Sequence, residues 1–395
     1  MKANVHTSPS CRPEPGLPST GRLAGTAGGS KTGPATESTS WRAGRVPAAR
    51  TTGLLLACCL PLAAGSFAEL EVAGVSAGAV LPVEAAEAAS LGARVERRFA
   101  AMGTMCSLSL LHDSRSSGLR ASERGARALE DVEQRLSSWR SDSELARLNA
   151  TPVGEWFTPS ADLLADLAFC AELVQRTEGA FDPGHGGVSL ARRGADGPAD
   201  AEAVLAPDGG FAGFVRQGDR IRRRHADALL DAGGFGKGIG LDRALAALLE
   251  QGARDVVLDL GGQVLVSPDG GSHAVELAHP RDRSTPVVRV SIGHGSLATS
   301  GTSERGQHLF DPQTSRCALD FGSATVWASS AALADALSTA LFVMGPERAL
   351  AFAEADERVE VLLLLPADDG LVARASSGLR GQLEALVADL RLVFP

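Results

Sequence analysis

From residue 94 onward the chain switches repeatedly between two hydrophobic periods, and those switches predict an ordered run of strands and helices. Residues 94–111 end in a strand pattern, with Cys106, Leu108 and Leu110 alternating against Ser107 and Ser109, and Met102, Gly103 and Thr104 stand just ahead of it. Over 118–137, Leu119, Ala126, Leu129, Val132 and Leu136 fall on one side of a helix, and a second helix is predicted near 160–178. Residues 211–224 alternate around Gln217, Gly218 and Asp219 as a hairpin, whose arginines at 220 and 222–224 read as a solvated strand face. A glycine-rich loop at 231–240 runs into a helix that ends at Gly252. Strands are then expected at 255–260, 263–266, 273–277, 287–292, 296–299 and 325–327, followed by a helix over 330–344 stopped by Gly345. A final helix, strand and helix are read over 346–392. No repeat and no linker breaks 94–395, which is taken as one unit.

The residues before it have no such periodicity. Residues 1–50 are rich in Ser, Thr, Gly and Pro and carry no packing pattern. Arg42, Arg45 and Arg50 precede an apolar run at 53–64 and the small residues Gly65 and Ser66, the order of a secretory signal. The run is too short to span a bilayer. Residues 1–67 are therefore read as a leader and 68–93 as a linker, with export to the periplasm or the periplasmic face of the inner membrane expected. Lipidation at Cys58 or Cys59 stays open. Without the leader, Cys106, Cys170 and Cys317 remain, an odd number at wide spacing that suits neither a disulfide framework nor a zinc site. A net charge of −9 argues against nucleic acid as a partner.

Candidate chemistry gathers at the glycine loop. Glycines at 233, 234, 236, 238 and 240 permit positive φ and close approach, and the helix behind them offers free N–H groups to an anion. The spacing excludes a P-loop, since Gly238 follows Lys237 where Ser or Thr is needed, and no G-x-G-x-x-G can be placed. Lys237 is the only lysine after residue 31, which singles it out. On the predicted 330–344 helix, Asp335 and Thr339 lie one turn apart on one face, oxygen donors suited to a hard cation such as Mg2+.

In order along the chain stand Met-Gly-Thr at 102–104, Ser-Trp-Arg-Ser-Asp-Ser-Glu-Leu-Ala-Arg-Leu-Asn at 138–149 and Ala-Phe-Asp-Pro at 180–183. Asp-Ala-Gly-Gly-Phe-Gly-Lys-Gly at 231–238 with Asp242 and Arg243, Leu-Gly-Gly at 260–262 and Thr-Ser-Gly at 299–301 follow. His-Leu-Phe-Asp-Pro-Gln-Thr at 308–314 and Ala-Asp-Ala-Leu-Ser-Thr-Ala-Leu at 334–341 complete the series. Together these segments resemble the ApbE-type flavin transferases, the FAD:protein FMN transferase family, over about 94–395. The resemblance implies an α+β fold of mixed and antiparallel sheets with packed helices, in two lobes with an FAD cleft between them. It implies Mg2+-dependent transfer of FMN from FAD to a Thr or Ser hydroxyl of a target flavoprotein, such as an envelope electron-transport subunit, releasing AMP. By similarity Met102, Trp139, Ala180, Phe181, Asp182, Asp231, Lys237 and Leu309 contact FAD, while the Gly234 carbonyl, Asp335 and Thr339 hold the metal. His308 fits a general base by type and position, with Asp311 or a polarised water as alternatives.

The sequence also departs from that pattern. After 181–183 the family usually continues Thr-Val-Gly-Pro-Leu, with a Trp-Gly-Phe segment later; here Gly184, His185, Gly186 and Gly187 follow. Thr302 and Ser303 stand where a Tyr is common. An FAD pyrophosphatase and a non-catalytic flavin-binding lipoprotein remain alternative readings, the second arguing poorly for a retained Asp335 and Thr339.

Overall fold

The first alternating stretch closes on itself as a hairpin. β1 (Ala93–Ala101) and β2 (Thr104–His112) pair antiparallel around Met102 and Gly103, which take φ of 50° and 72°. Positive φ is free to glycine and uncommon for methionine; here the Met102 N–H is pinned by donating to Glu133 Oε2 at 2.9 Å. The computed structural model describes residues 92–186, 209–302, 309–314 and 316–395, so the leader and His308 lie outside the described residues.

The helices are α1 (Arg115–Leu136), α2 (Glu144–Ala150), α3 (Ala161–Arg176), α4 (Gly236–Glu250), α5 (Ala331–Met344) and α6 (Pro346–Ala355). Further strands are β3 (Phe214–Gln217), β4 (Arg220–Arg223), β5 (Arg254–Leu260), β6 (Gln263–Val266), β7 (His273–His279) and β8 (Asp282–Ile292). The last are β9 (Gly295–Gly301), β10 (Ser323–Ala328), β11 (Val359–Ala367), β12 (Gly370–Ala375), β13 (Leu383–Ala385) and β14 (Leu390–Val393). A nine-stranded sheet runs in the order β1-β2-β5-β6-β9-β10-β11-β12-β14, and a three-stranded sheet in the order β13-β8-β7. All described neighbours in the large sheet are antiparallel except β12 and β14. This is the expected α+β class.

Strand periodicity assigns each face of the large sheet to its own core. On β11, Val361 and Leu363 join the helices, while Leu362 and Leu364 face the other way, against β8 and β12. Leu297 and Ala298 on β9, and Leu265 and Val266 on β6, split in the same manner. Helices thus cover one face, and the small sheet covers the other over the later strands. Two of the cysteines, Cys106 and Cys170, are buried as small apolar groups, and burial pushes the Cys106 thiol up to about 11, with Asp259 adding to it.

Two expectations need correction. The last helix of the predicted helix–strand–helix set is absent: Leu383–Ala385 pairs with β8 and Leu390–Val393 pairs parallel with β12. Its apolar residues satisfy sheet edges, so tertiary pairing overrides local propensity. The hairpin arginines are not simply solvated either. Arg223 is buried and donates to the Thr151 and Ala226 carbonyls at 2.8 and 3.1 Å, and Arg220 and Arg222 lie over the Trp156 ring at 5.2 and 4.8 Å.

Candidate active site

The glycine loop and the 331–344 helix meet end to end, and glycine makes that meeting possible. None of glycines 233, 234, 236, 238 and 240 takes positive φ. Their service is to lack a Cβ: one on Gly238 would lie 2.2 Å from the Ala331 carbonyl oxygen, and one on Gly240 would lie 2.7 Å from Met102 Sδ. The first turn of α4 therefore packs directly on the first turn of α5. Asp242, one turn further on, completes the joint by accepting from Ser330 Oγ at 2.7 Å, Ala331 N–H at 2.8 Å and Ala332 N–H at 3.0 Å. It is an N-cap supplied from a neighbouring helix, beside the cap that Ser330 gives to Leu333. Replacing Asp242 with Ala leaves three donors unmet and is expected to cost about 1–3 kcal/mol in urea unfolding.

This joint sets Asp335 against Lys237. Asp335 is 4% exposed; its Oδ1 accepts from Lys237 Nζ at 2.8 Å and its Oδ2 from the Gly238 N–H at 3.0 Å. One N–H of the expected anion cradle is thus taken up by a protein carboxylate, favoured by the positive end of α4. Thr339 follows on the same face of α5. A Cβ on Gly234 would sit 3.5 Å from Thr339 Oγ1, so the glycine turn and this hydroxyl are adjacent. Ser300, at the end of β9, lies 2.9 Å from Ser338 Oγ and 3.4 Å from Thr339 Oγ1. A buried carboxylate with neighbouring hydroxyls is a hard-oxygen donor set, which fits Mg2+ by chemistry. Among the described residues no cluster of three His, Cys, Asp or Glu side chains offers a metal site.

The aromatic and acidic segments converge on the same turn. Ser138 Oγ donates to Asp231 Oδ1 at 3.0 Å, which brings Trp139, itself 76% exposed, beside the start of the glycine loop. Asn149 holds the approach to Asp231 by bonding both the N–H and the carbonyl of Leu230 at 2.8 Å. Phe181 is buried and packs edge-on to Phe235, with ring centroids 6.3 Å apart. Asp182 turns away from solvent: its carboxylate accepts from Gly184 N–H at 2.7 Å and Phe211 N–H at 2.8 Å. Burial raises its pKa, against the pull of His185 and these N–H groups.

The family model for ApbE matches residues 102–363. The chain belongs to the ApbE family. A Vibrio cholerae protein named FAD:protein FMN transferase is 29% identical over 276 residues, 64% of this chain and 82% of its own length. Its Rhodobacter capsulatus namesake is 35% identical over 264 residues, 62% of this chain and 50% of its own. The solved flavin transferase ApbE of Vibrio cholerae matches with a TM-score of 0.62 at 27% identity, covering 73% of this chain and 98% of that one. The apo flavinyl transferase ApbE of Pseudomonas stutzeri shares the fold with a TM-score of 0.62 at 21% identity, over 74% of this chain and 97% of that one.

Of the residues singled out from the ApbE resemblance, the fold gathers Asp231, Gly234, Lys237, Asp335 and Thr339 around one helix junction, with Met102 packed against Gly240 and Trp139 beside Asp231. Ala180 and Phe181 belong to the main core, and Leu309 packs against it. His308 lies outside the described residues. The Asp311 carboxylate, its alternative as base, accepts from Gln313 N–H and Thr314 Oγ at 2.9 Å each, within its own turn. Reading the sequence missed the capping by Asp242, the hydroxyls of Ser300 and Ser338, and the bridge from Asn149. Asp242, Asn149 and Ser300 all lie inside the motifs of the resemblance, but their partners are 88, 81 and 38 positions away, and no local pattern reports such pairings.

Proposed function

We propose that this protein transfers FMN from FAD to a Thr or Ser hydroxyl of a target flavoprotein, with Mg2+, and releases AMP. What carries this reading is the junction of α4 and α5, where Asp335, buried and charge-paired to Lys237, stands beside Thr339 and the glycine turn. Lys237 is partly exposed, so its ammonium can meet a pyrophosphate while its stem stays anchored. The first turn of α4, where Gly236 N–H already meets the Ala232 carbonyl and Gly238 N–H meets Asp335, adds its positive end to the same place. Asp335, Thr339 and the Gly234 carbonyl would hold Mg2+, which when bound offsets the charge developing on the pyrophosphate.

In the reaction the acceptor hydroxyl oxygen bonds to the FMN phosphorus, and the bond from that phosphorus to the bridging oxygen breaks. The hydroxyl proton passes to a base, for which His308 is our candidate, and AMP leaves with the bridging oxygen. The test incubates the purified 68–395 chain with FAD, Mg2+ and a candidate envelope flavoprotein, and looks for a covalent FMN mass shift on the acceptor. Release of FMN and AMP at full rate without any mass shift, across the acceptors tried, would replace transfer by pyrophosphatase activity.

Trp139 offers a broad exposed ring next to Asp231, and we place it against a ring of FAD. Trp139→Ala is expected to weaken FAD binding by about 1–3 kcal/mol, read by flavin fluorescence; unchanged affinity removes it from the site. We also place the reaction outside the cytoplasm, on the leader pattern at 42–66. A fusion of residues 1–75 to a reporter that works only after export should be active, and a silent, well-expressed fusion counts against export.

A further inference from the structure

Asp335 is held by two donors of unequal freedom. Its Oδ2 accepts from the Gly238 N–H at 3.0 Å, a backbone group that the tight packing of Gly238 on Ala331 keeps in place. Its Oδ1 accepts from Lys237 Nζ at 2.8 Å, at the end of a flexible side chain that is 31% exposed. One donor is fixed and the other is able to leave. Both come from the first turn of α4, and among the described residues Lys237 is the only side chain ion-paired with this buried carboxylate.

Charge decides what else the carboxylate can hold. A carboxylate drawn out of water is costly unless a cation faces it, and here the lysine meets that need. The other donors we assign to Mg2+, the Thr339 hydroxyl and the Gly234 carbonyl, are neutral, so Asp335 supplies the only negative charge in the set. It can neutralise the lysine, but a divalent cation beside the lysine would leave a surplus of positive charge at close range. An anionic oxygen of a pyrophosphate removes that surplus by taking the ammonium.

We propose that Lys237 and Mg2+ compete for the Asp335 carboxylate, and that FAD ends the competition by drawing the ammonium onto its pyrophosphate. The inference rests on the reading of Asp335 as the Mg2+ ligand and of FAD as the substrate. Lys237 is then more than a phosphate contact: it keeps divalent cations off the carboxylate until the substrate arrives. Cation and FAD thereby raise each other's affinity by the same factor.

The test reads Mn2+ binding from the EPR signal of the free ion, without FAD, for the full wild-type chain, Lys237→Met, Asp335→Asn and the double variant. Lys237→Met should bind Mn2+ about tenfold more tightly than wild type. Its melting temperature, lower than that of wild type in EDTA, should rise more when Mn2+ is added. The double variant should lose the gain, which locates it at the carboxylate. In EDTA, Asp335→Asn should bind FAD severalfold more tightly than wild type, because its lysine is released, and the same change made in Lys237→Met should give no such gain. If methionine prevents folding, Lys237→Gln serves in its place. A Lys237→Met chain that binds Mn2+ no more tightly than wild type overturns the competition, and an Asp335→Asn chain with no gain in FAD affinity overturns the transfer of the lysine to FAD. Mn2+ binding that Asp335→Asn leaves unchanged, or a wild-type chain that binds no FAD in either buffer, is a different result, which overturns the parent reading.

Discussion

Asp335→Asn should lower FMN transfer, and any FAD hydrolysis, by on the order of a hundredfold or more, because it removes the full charge from the carboxylate we propose as the Mg2+ ligand. High Mg2+, or Mn2+, should restore part of the rate, since a weaker site is refilled by mass action. The structure adds a second consequence. Both carboxylate oxygens accept, from Lys237 Nζ and from the Gly238 N–H, and an amide can accept at only one of them. Its NH2 must then face another donor in a site that is 4% exposed, so the variant should also lose about 1–3 kcal/mol of stability. FAD binding, which we propose runs through Trp139 and the first turn of α4, should survive. Steady-state rates across a Mg2+ titration, with thermal melts and FAD affinity on the same samples, separate these effects. Normal turnover of the variant at ordinary Mg2+ would overturn the proposed metal site of Asp335, Thr339 and Gly234 as a whole.

Gly238→Ala should be the most disruptive change of a single methyl group at this site. The added Cβ would meet Ala331 at 2.2 Å from its oxygen and 2.6 Å from its carbonyl carbon. These are backbone atoms in the first turn of α5, whose N–H groups are held by Asp242. Neither helix can yield without parting Lys237 from Asp335. We expect a loss of roughly 3 kcal/mol or more, at the upper end for overpacking, together with loss of transfer. Gly293→Ala is the control, since nothing lies within 4 Å of a Cβ there and its φ is not positive; it should unfold within about 0.5 kcal/mol of the parent in urea. Similar midpoints for the two variants would show that the helices are not in contact at Gly238.

The two predictions turn on features that were unequally visible in the sequence. Asp335 and Thr339 are four apart, and a helix of known pitch places them on one face with no further information. The glycine run was conspicuous too, but its meaning was not. Glycine is used both for positive φ and for closeness, and composition cannot tell which; the fold chose closeness at 238 and 240. The arginines at 220 and 222–224 misled in a similar way. Strand alternation puts Arg223 on the inner face beside Phe214, yet an inward arginine is believable only once the carbonyls of Thr151, Ala226 and Ala228 are seen to receive it.

What the sequence determined by itself is the set of local periods and the order of chemical groups. Every described helix but α2, the β3–β4 hairpin and most strands follow from side-chain spacing, because each period is imposed by backbone geometry within a few residues. The tertiary structure alone decided the rest. It turned the 383–393 stretch into two sheet edges, drew Asp242 onto the end of α5, aimed Asp182 inward and set Lys237 against Asp335. Each of these depends on a partner tens of residues away. Hydrogen bonding and close packing act through space, and only the folded chain brings those partners within reach.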